Sequence, residues 1–167
     1  MLKTIEPLNV RGSLGQTESV CQRYNPPAMD AMDDISLKMP RQIFNDMIDQ
    51  ACREQPWECC GLLGGRDLVV HHRYPLENRS PQPETRYFAA PDDIFEATRQ
   101  MRAVSEELIA IYHSHPQGPA YPSPSDIELA YYPQAFYLII VVEPRIEMRA
   151  FTIQESAVTE VPIDLLM

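Results

Sequence analysis

The sequence predicts an α+β fold, a mixed and mostly antiparallel sheet flanked by helices, on three observations. Two stretches carry apolar residues at helical spacing, one over residues 41–55 and one from Pro91 onward. Apolar or alternating runs of strand length lie between and after them, bounded by Gly and Pro. The resulting order is helix, strands, helix, strand, short helix, strands, with no internal repeat.

Residues 1–37 show no sustained periodicity and contain Gly12, Gly15, Pro26 and Pro27. They are expected to form a flexible N-terminal extension to a domain of residues 38–167. Pro40 then opens the first helix as its first residue, with Ile43, Met47, Ile48 and Ala51 on one face, and Pro56 ends it. Glu58 leads into CGLLGG, a short buried strand closed by a glycine turn, with Asp67 to Tyr74 as its hairpin partner. Pro75 to Pro83 reads as loop, and Arg86 to Ala89 as a further strand.

The second helix starts at Pro91, with two aspartates in the first turn suiting the helix dipole. Ile94, Phe95, Ala97, Thr98, Met101 and Val104 are its expected apolar face. Leu108 to Tyr112 is a strand running directly into His113, and Pro116 to Pro124 is a proline-rich loop. A short helix is expected near Asp126 to Tyr131. Strands follow at Phe136–Glu143 and Ile146–Ile153, joined at Pro144-Arg145, and a last one near Val158–Ile163.

Composition narrows the function. A chain of 167 residues suits one domain plus a tail. The net charge of −10 repels phosphate backbones, so no nucleic-acid partner is expected. The longest strongly apolar run, Phe136 to Val142, is far too short to span a bilayer, and the first twenty residues lack a secretory apolar stretch. No membrane association and a cytoplasmic location are therefore expected. Cys21, Cys52, Cys59 and Cys60 read as free thiols, and no CxxC spacing suggests a cysteine metal site.

The chemistry concentrates in His113-Ser-His-Pro-Gln-Gly-Pro-Ala-Tyr-Pro-Ser-Pro-Ser-Asp126. His113 and His115 sit two apart at a strand end, and such side chains share a face. Two imidazoles can then reach one ion. Asp126 lies eleven positions beyond His115, across a loop long enough to return its carboxylate to the same point. Two His and one carboxylate form a catalytic zinc set with the fourth position open to water. Ser123-Pro124-Ser125-Asp126 equally describes a capping box. Capping and a catalytic role coexist easily for Ser123 and less easily for Asp126, because a carboxylate on a metal is not free to reach back to the cap. Glu58 alone reads as an ordinary strand-start glutamate, and only its place before a buried glycine-rich strand makes it a candidate general base.

Together, Glu58 before CGLLGG, then HSHP, then Ser123-x-x-Asp126 with seven residues between His115 and Ser123, resemble the JAMM/MPN-type zinc metalloproteases over roughly residues 38–160. ECCGLLGG, the segment Asn78…Ser80-Pro81…Arg86-Tyr87 and IYHSHP are most similar in style to the short prokaryotic members. The resemblance implies a JAMM/MPN-like, cytidine-deaminase-like architecture and one Zn2+ per chain on His113, His115 and Asp126. It implies that Glu58 passes a proton from the attacking water to the leaving amine, and that Ser123 helps to stabilise the oxyanion. The reaction implied is hydrolysis of a peptide or isopeptide bond after the C-terminal glycine of a ubiquitin-like or sulfur-carrier protein. The alternatives are a non-catalytic MPN-type scaffold or binding module, and a zinc amidohydrolase acting on a small molecule.

The remaining candidates have blander readings. His71 and His72, adjacent on a strand, should face opposite ways and belong to the hairpin surface. Trp57, Tyr112 and the Tyr131-Tyr132 pair are expected mainly to pack.

Overall fold

The computed structural model describes residues 35–167. The expected extension over 1–37 lies outside the described residues apart from its last three. Eleven elements follow: β1 (Leu37–Pro40), α1 (Arg41–Glu54), β2 (Cys60–Arg66), β3 (Val69–Leu76), α2 (Pro91–Ala103), β4 (Glu107–Ser114), α3 (Pro124–Glu128), β5 (Phe136–Val141), β6 (Glu147–Gln154), β7 (Ala157–Val161) and β8 (Ile163–Leu166). The strands form one eight-stranded sheet in the order β7-β6-β5-β4-β2-β3-β1-β8. Pairings β2–β3, β2–β4, β5–β6 and β6–β7 are antiparallel, whereas β4–β5, β1–β3 and β1–β8 are parallel. This is the mixed, mostly antiparallel α+β sheet that the sequence predicts.

The helices cover opposite faces. Ile43, Met47 and Ala51 of α1 recur every fourth residue and pack in one core with Leu37, Leu63, Tyr112 and Leu138. Ile94, Ala97 and Met101 of α2 pack in a second core with Leu62, Ile111 and Tyr137. The period of two along β4 thus sends Tyr112 toward α1 and Ile111 toward α2. All six residues of β5 are buried, as a strand covered on both faces requires.

Several local expectations are corrected. The turn after β2 is made by Asp67 and Leu68, both at positive φ (51° and 62°), and not by the glycines. Gly64 and Gly65 are strand residues at a register shift, where a Cβ on Gly65 would stand 1.9 Å from the Val69 carbonyl oxygen. Pro40 is the N-cap of α1, at φ −56° and ψ 134°, and not its first residue. Residues Arg86 to Ala89 form no strand; their backbone bonds to the Asn78 side chain instead of a neighbouring strand. Phe95 and Val104 are about half exposed, so the apolar face of α2 is the narrower Ile94-Ala97-Met101 stripe. The short helix begins at Pro124 and ends at Glu128, earlier than expected. The expected last strand is two strands broken at Pro162, which lacks the N–H a ladder needs. Strand β1 is new: four residues with Leu37 and Met39 fully buried give too short an alternation to read. Among the described residues no helix is long and apolar enough to cross a membrane.

Candidate metal centre

β4 ends at the centre of the sheet, and its last residues carry the site. His113 shares the face of Ile111 and is 1% exposed; His115 follows the strand end and is 8% exposed. Their Nε2 atoms lie 3.0 Å apart. The Asp126 Oδ2 atom lies 3.5 Å from His113 Nε2 and 3.4 Å from His115 Nε2. An ion held tetrahedrally at about 2.0–2.1 Å sets its ligand atoms about 3.3 Å apart. The three atoms therefore already form one face of a tetrahedron of the size a zinc ion demands. His115 Nδ1 lies 2.9 Å from the Pro119 carbonyl, which can only accept. That contact assigns the proton to Nδ1 and leaves the Nε2 lone pair for the triangle.

Burial works to raise the Asp126 carboxyl, but the His113 and His115 rings beside it and the Ser123 hydroxyl outweigh this and hold it well below the usual carboxylate range. Burial likewise opposes charge on His115, yet Asp126 and the Pro119 carbonyl raise it above the ordinary histidine value. The charged carboxylate is the form that ligates a metal.

Ser123 caps α3. Its N–H donates to Asp126 Oδ2 at 2.7 Å, its Oγ donates to the same oxygen at 2.5 Å, and the Asp126 N–H donates back to Oγ at 3.3 Å. One carboxylate oxygen thus completes the capping box and faces both imidazoles. Capping and placement at the triangle, which compete on paper, are served together because the box turns Oδ2 inward.

Glu58 stands two residues before Cys60, which pairs with His113 in the β2–β4 ladder. The join is reinforced where the Cys59 N–H donates to Ser114 Oγ at 2.8 Å and the Ser114 N–H donates to the Cys59 carbonyl at 3.0 Å. Glu58 is 4% exposed. With His115, Ser123 and Arg86 it lines a groove of about 480 Å³. All five predicted site residues therefore lie at one end of the sheet.

The sequence pattern of the prokaryotic homologues of the JAB domain matches residues 40–154. The chain belongs to this family. It is 41% identical to a probable TtuB-protein conjugate cleaving protease of Thermus thermophilus over 58% of its own length, and spans 64% of that relative's length. It is 34% identical to the CysO-cysteine peptidase of Mycobacterium tuberculosis, over 74% of this chain and 87% of the relative. A solution structure of a Desulfitobacterium hafniense protein matches with TM-score 0.70 and 34% identity, covering 77% of this chain and 92% of that one. A JAB1/MPN domain protein from Archaeoglobus fulgidus shares the fold at TM-score 0.53 and 16% identity, covering 77% of this chain and 97% of that one.

Around the triangle of this JAB-domain chain lie residues that sequence reasoning missed or left unexplained. Tyr87 stacks on the His113 ring at 4.5 Å and 27°, fixing its plane. Asn78 uses its whole amide: Nδ2 donates to the carbonyls of Glu58 (2.8 Å) and Arg86 (2.9 Å), and Oδ1 accepts from the N–H groups of Ser80 (2.9 Å) and Phe88 (3.0 Å). It ties the start of β2 to the segment that carries Tyr87. Neither role has a local signature, because apart from Ser80 the partners lie eight or more residues away in sequence. Tyr112 packs as expected, fully buried, with its hydroxyl 2.7 Å from Gln50 Oε1. Trp57 and Tyr131 do not pack; they are 53% and 44% exposed. His71 and His72 do not face opposite ways: at the register shift both Nδ1 atoms approach the buried Glu106 carboxylate, at 3.4 and 2.7 Å.

Proposed function

We propose that this chain is a zinc-dependent peptidase that hydrolyses the peptide or isopeptide bond after the C-terminal glycine of a ubiquitin-like or sulfur-carrier protein. The observation that carries it is the triangle of His113, His115 and Asp126, with spacings of 3.0–3.5 Å, whose His115 lines one groove with Glu58 and Ser123. These three would hold one zinc per chain. Zinc, when bound, would supply Lewis acidity beside this groove.

The other groups work on protons and charge. Glu58, buried at the groove wall, takes a proton from the attacking water at its carboxylate and returns it to the leaving amine. Ser123 lines the same groove, and its one hydroxyl proton, here given to Asp126, would turn to the carbonyl oxygen that gains charge. Tyr87 and the Pro119 carbonyl keep the two imidazoles from turning. The named relatives support the substrate class: one is named for TtuB–protein conjugates, the other for CysO–cysteine. A cytoplasmic location goes with this reading.

The test is incubation of zinc-loaded protein with ubiquitin-like carriers extended beyond a C-terminal Gly-Gly, read by mass spectrometry. Cleavage after the glycine is expected from the native protein, and none from Glu58→Gln with its zinc retained. Failure of the zinc-loaded native protein on every carrier, with a carrier still bound, would favour the scaffold reading instead.

A further inference from the structure

We propose that Arg86 binds a free carboxylate on the leaving group, so that the chain releases a single terminal amino acid in preference to a lysine-linked protein. The inference rests on the peptidase reading above and deepens it. Arg86 is exposed and lines the same groove as Glu58, His115 and Ser123. Its backbone is clamped: Asn78 Nδ2 donates to the Arg86 carbonyl, Asn78 Oδ1 accepts from Phe88 N–H, and Tyr87 between them stacks on His113. The guanidinium therefore starts from a fixed point at the groove.

Its charge is not used within the described fold. Arg79, in the same loop, lies 3.0 Å from Glu77 and 3.2 Å from Asp93, two carboxylates that neutralise it. Arg86 makes no ion pair among the described residues. In a chain of net charge −10, an uncompensated cation at a catalytic groove selects an anion. A guanidinium matches a carboxylate bidentately, which a lysine would not.

The geometry of the substrate says which side the carboxylate is on. The acyl side ends in glycine, which has no side chain and no charge beside the scissile bond. An α-linked terminal amino acid carries its carboxylate one carbon from the scissile nitrogen. A lysine side chain leaving through Nζ has only methylenes there. The step itself is plain hydrolysis: the C–N bond breaks, the water oxygen joins the acyl carbon, and the water proton passes by way of Glu58 to the leaving amine.

The experiment uses the full zinc-loaded chain and one ubiquitin-like carrier ending in Gly-Gly, extended by a single alanine either as the free acid or as the amide. The acid is expected to be cleaved with kcat/KM at least about tenfold above the amide, the range of a charge-assisted hydrogen bond. In Arg86→Gln that ratio should fall to near one, mainly through KM for the acid. Arg86→Lys should keep part of it, since a point charge remains. Bound zinc in each variant reports an intact site. Equal rates on acid and amide in the native protein, or a preference that survives Arg86→Gln, would overturn the role of Arg86 while leaving the peptidase reading intact. Cleavage of neither substrate would remove both.

Discussion

At the residue scale, the Asp126 Oδ2 atom does most to define the centre. It accepts two hydrogen bonds from Ser123 and stands within 3.5 Å of both imidazoles. The His113/His115 pair was legible in sequence because strand parity alone puts i and i+2 on one face. Asp126 was ambiguous, since a capping acid and a ligand have the same local spelling. Glu58 was legible only through the resemblance, because nothing in its own neighbourhood marks a base. Tyr87 and Asn78 were not assigned roles, as their partners are set by the path of the 77–90 loop. In Glu58→Gln, turnover should fall at least about a hundredfold, as for loss of a general base, with zinc content unchanged. Asn78→Ala removes four hydrogen bonds, partly replaceable by water, and should cost about 1–3 kcal/mol in a denaturant titration. Burial pushes the Cys59 thiol up to about 12, and Cys60 higher still, again chiefly by burial. The thiolate is the reactive form, so near pH 8 iodoacetamide should label exposed Cys52 and spare both until the chain unfolds.

At the element scale, strands and helices with sustained periodicity were readable, and short or interrupted ones were not. CGLLGG was recognised as a strand, but the reason for its glycines lies across the sheet. Gly61 pairs with Tyr112 on β4, whose ring lies over it, and a Cβ there would meet the tyrosine hydroxyl at 2.3 Å. Tyr112 is fully buried and cannot move away. Gly61→Ala should therefore destabilise by about 1–3 kcal/mol through overpacking, seen as a lower midpoint with unchanged m-value. Helix α3 depends on its cap: five residues cannot sustain a helix alone. Ser123→Ala should cost about 0.5–2 kcal/mol, and Ser123→Thr, which keeps a capping hydroxyl, much less.

At the scale of the whole molecule, the sheet brings together residues that the chain separates. The Cys59–Ser114 clamp joins positions 55 apart in sequence, and so sets Glu58 beside the end of β4. Placement of α1 and α2 on opposite faces leaves the β4 end free for the groove that holds His115, Glu58 and Arg86. That end-of-sheet position was foreseeable from HSHP at the close of an apolar strand, whereas the groove was not, since its walls come from three separate segments. A metal seated there binds the folded state alone. At a free zinc concentration a thousandfold above Kd it should add about 4 kcal/mol of stability, which chelation removes as a fall in Tm.

The most direct test is competition between the purified chain and a chromophoric zinc chelator, run on the native protein and on His115→Ala and Asp126→Asn. The native chain should take up one zinc, and each variant should bind it about a hundredfold or more weakly, beyond the loss typical of an outer-shell change. Native protein that takes no zinc, or variants that hold it as tightly as the native chain, would contradict the assignment of His113, His115 and Asp126 as the metal centre.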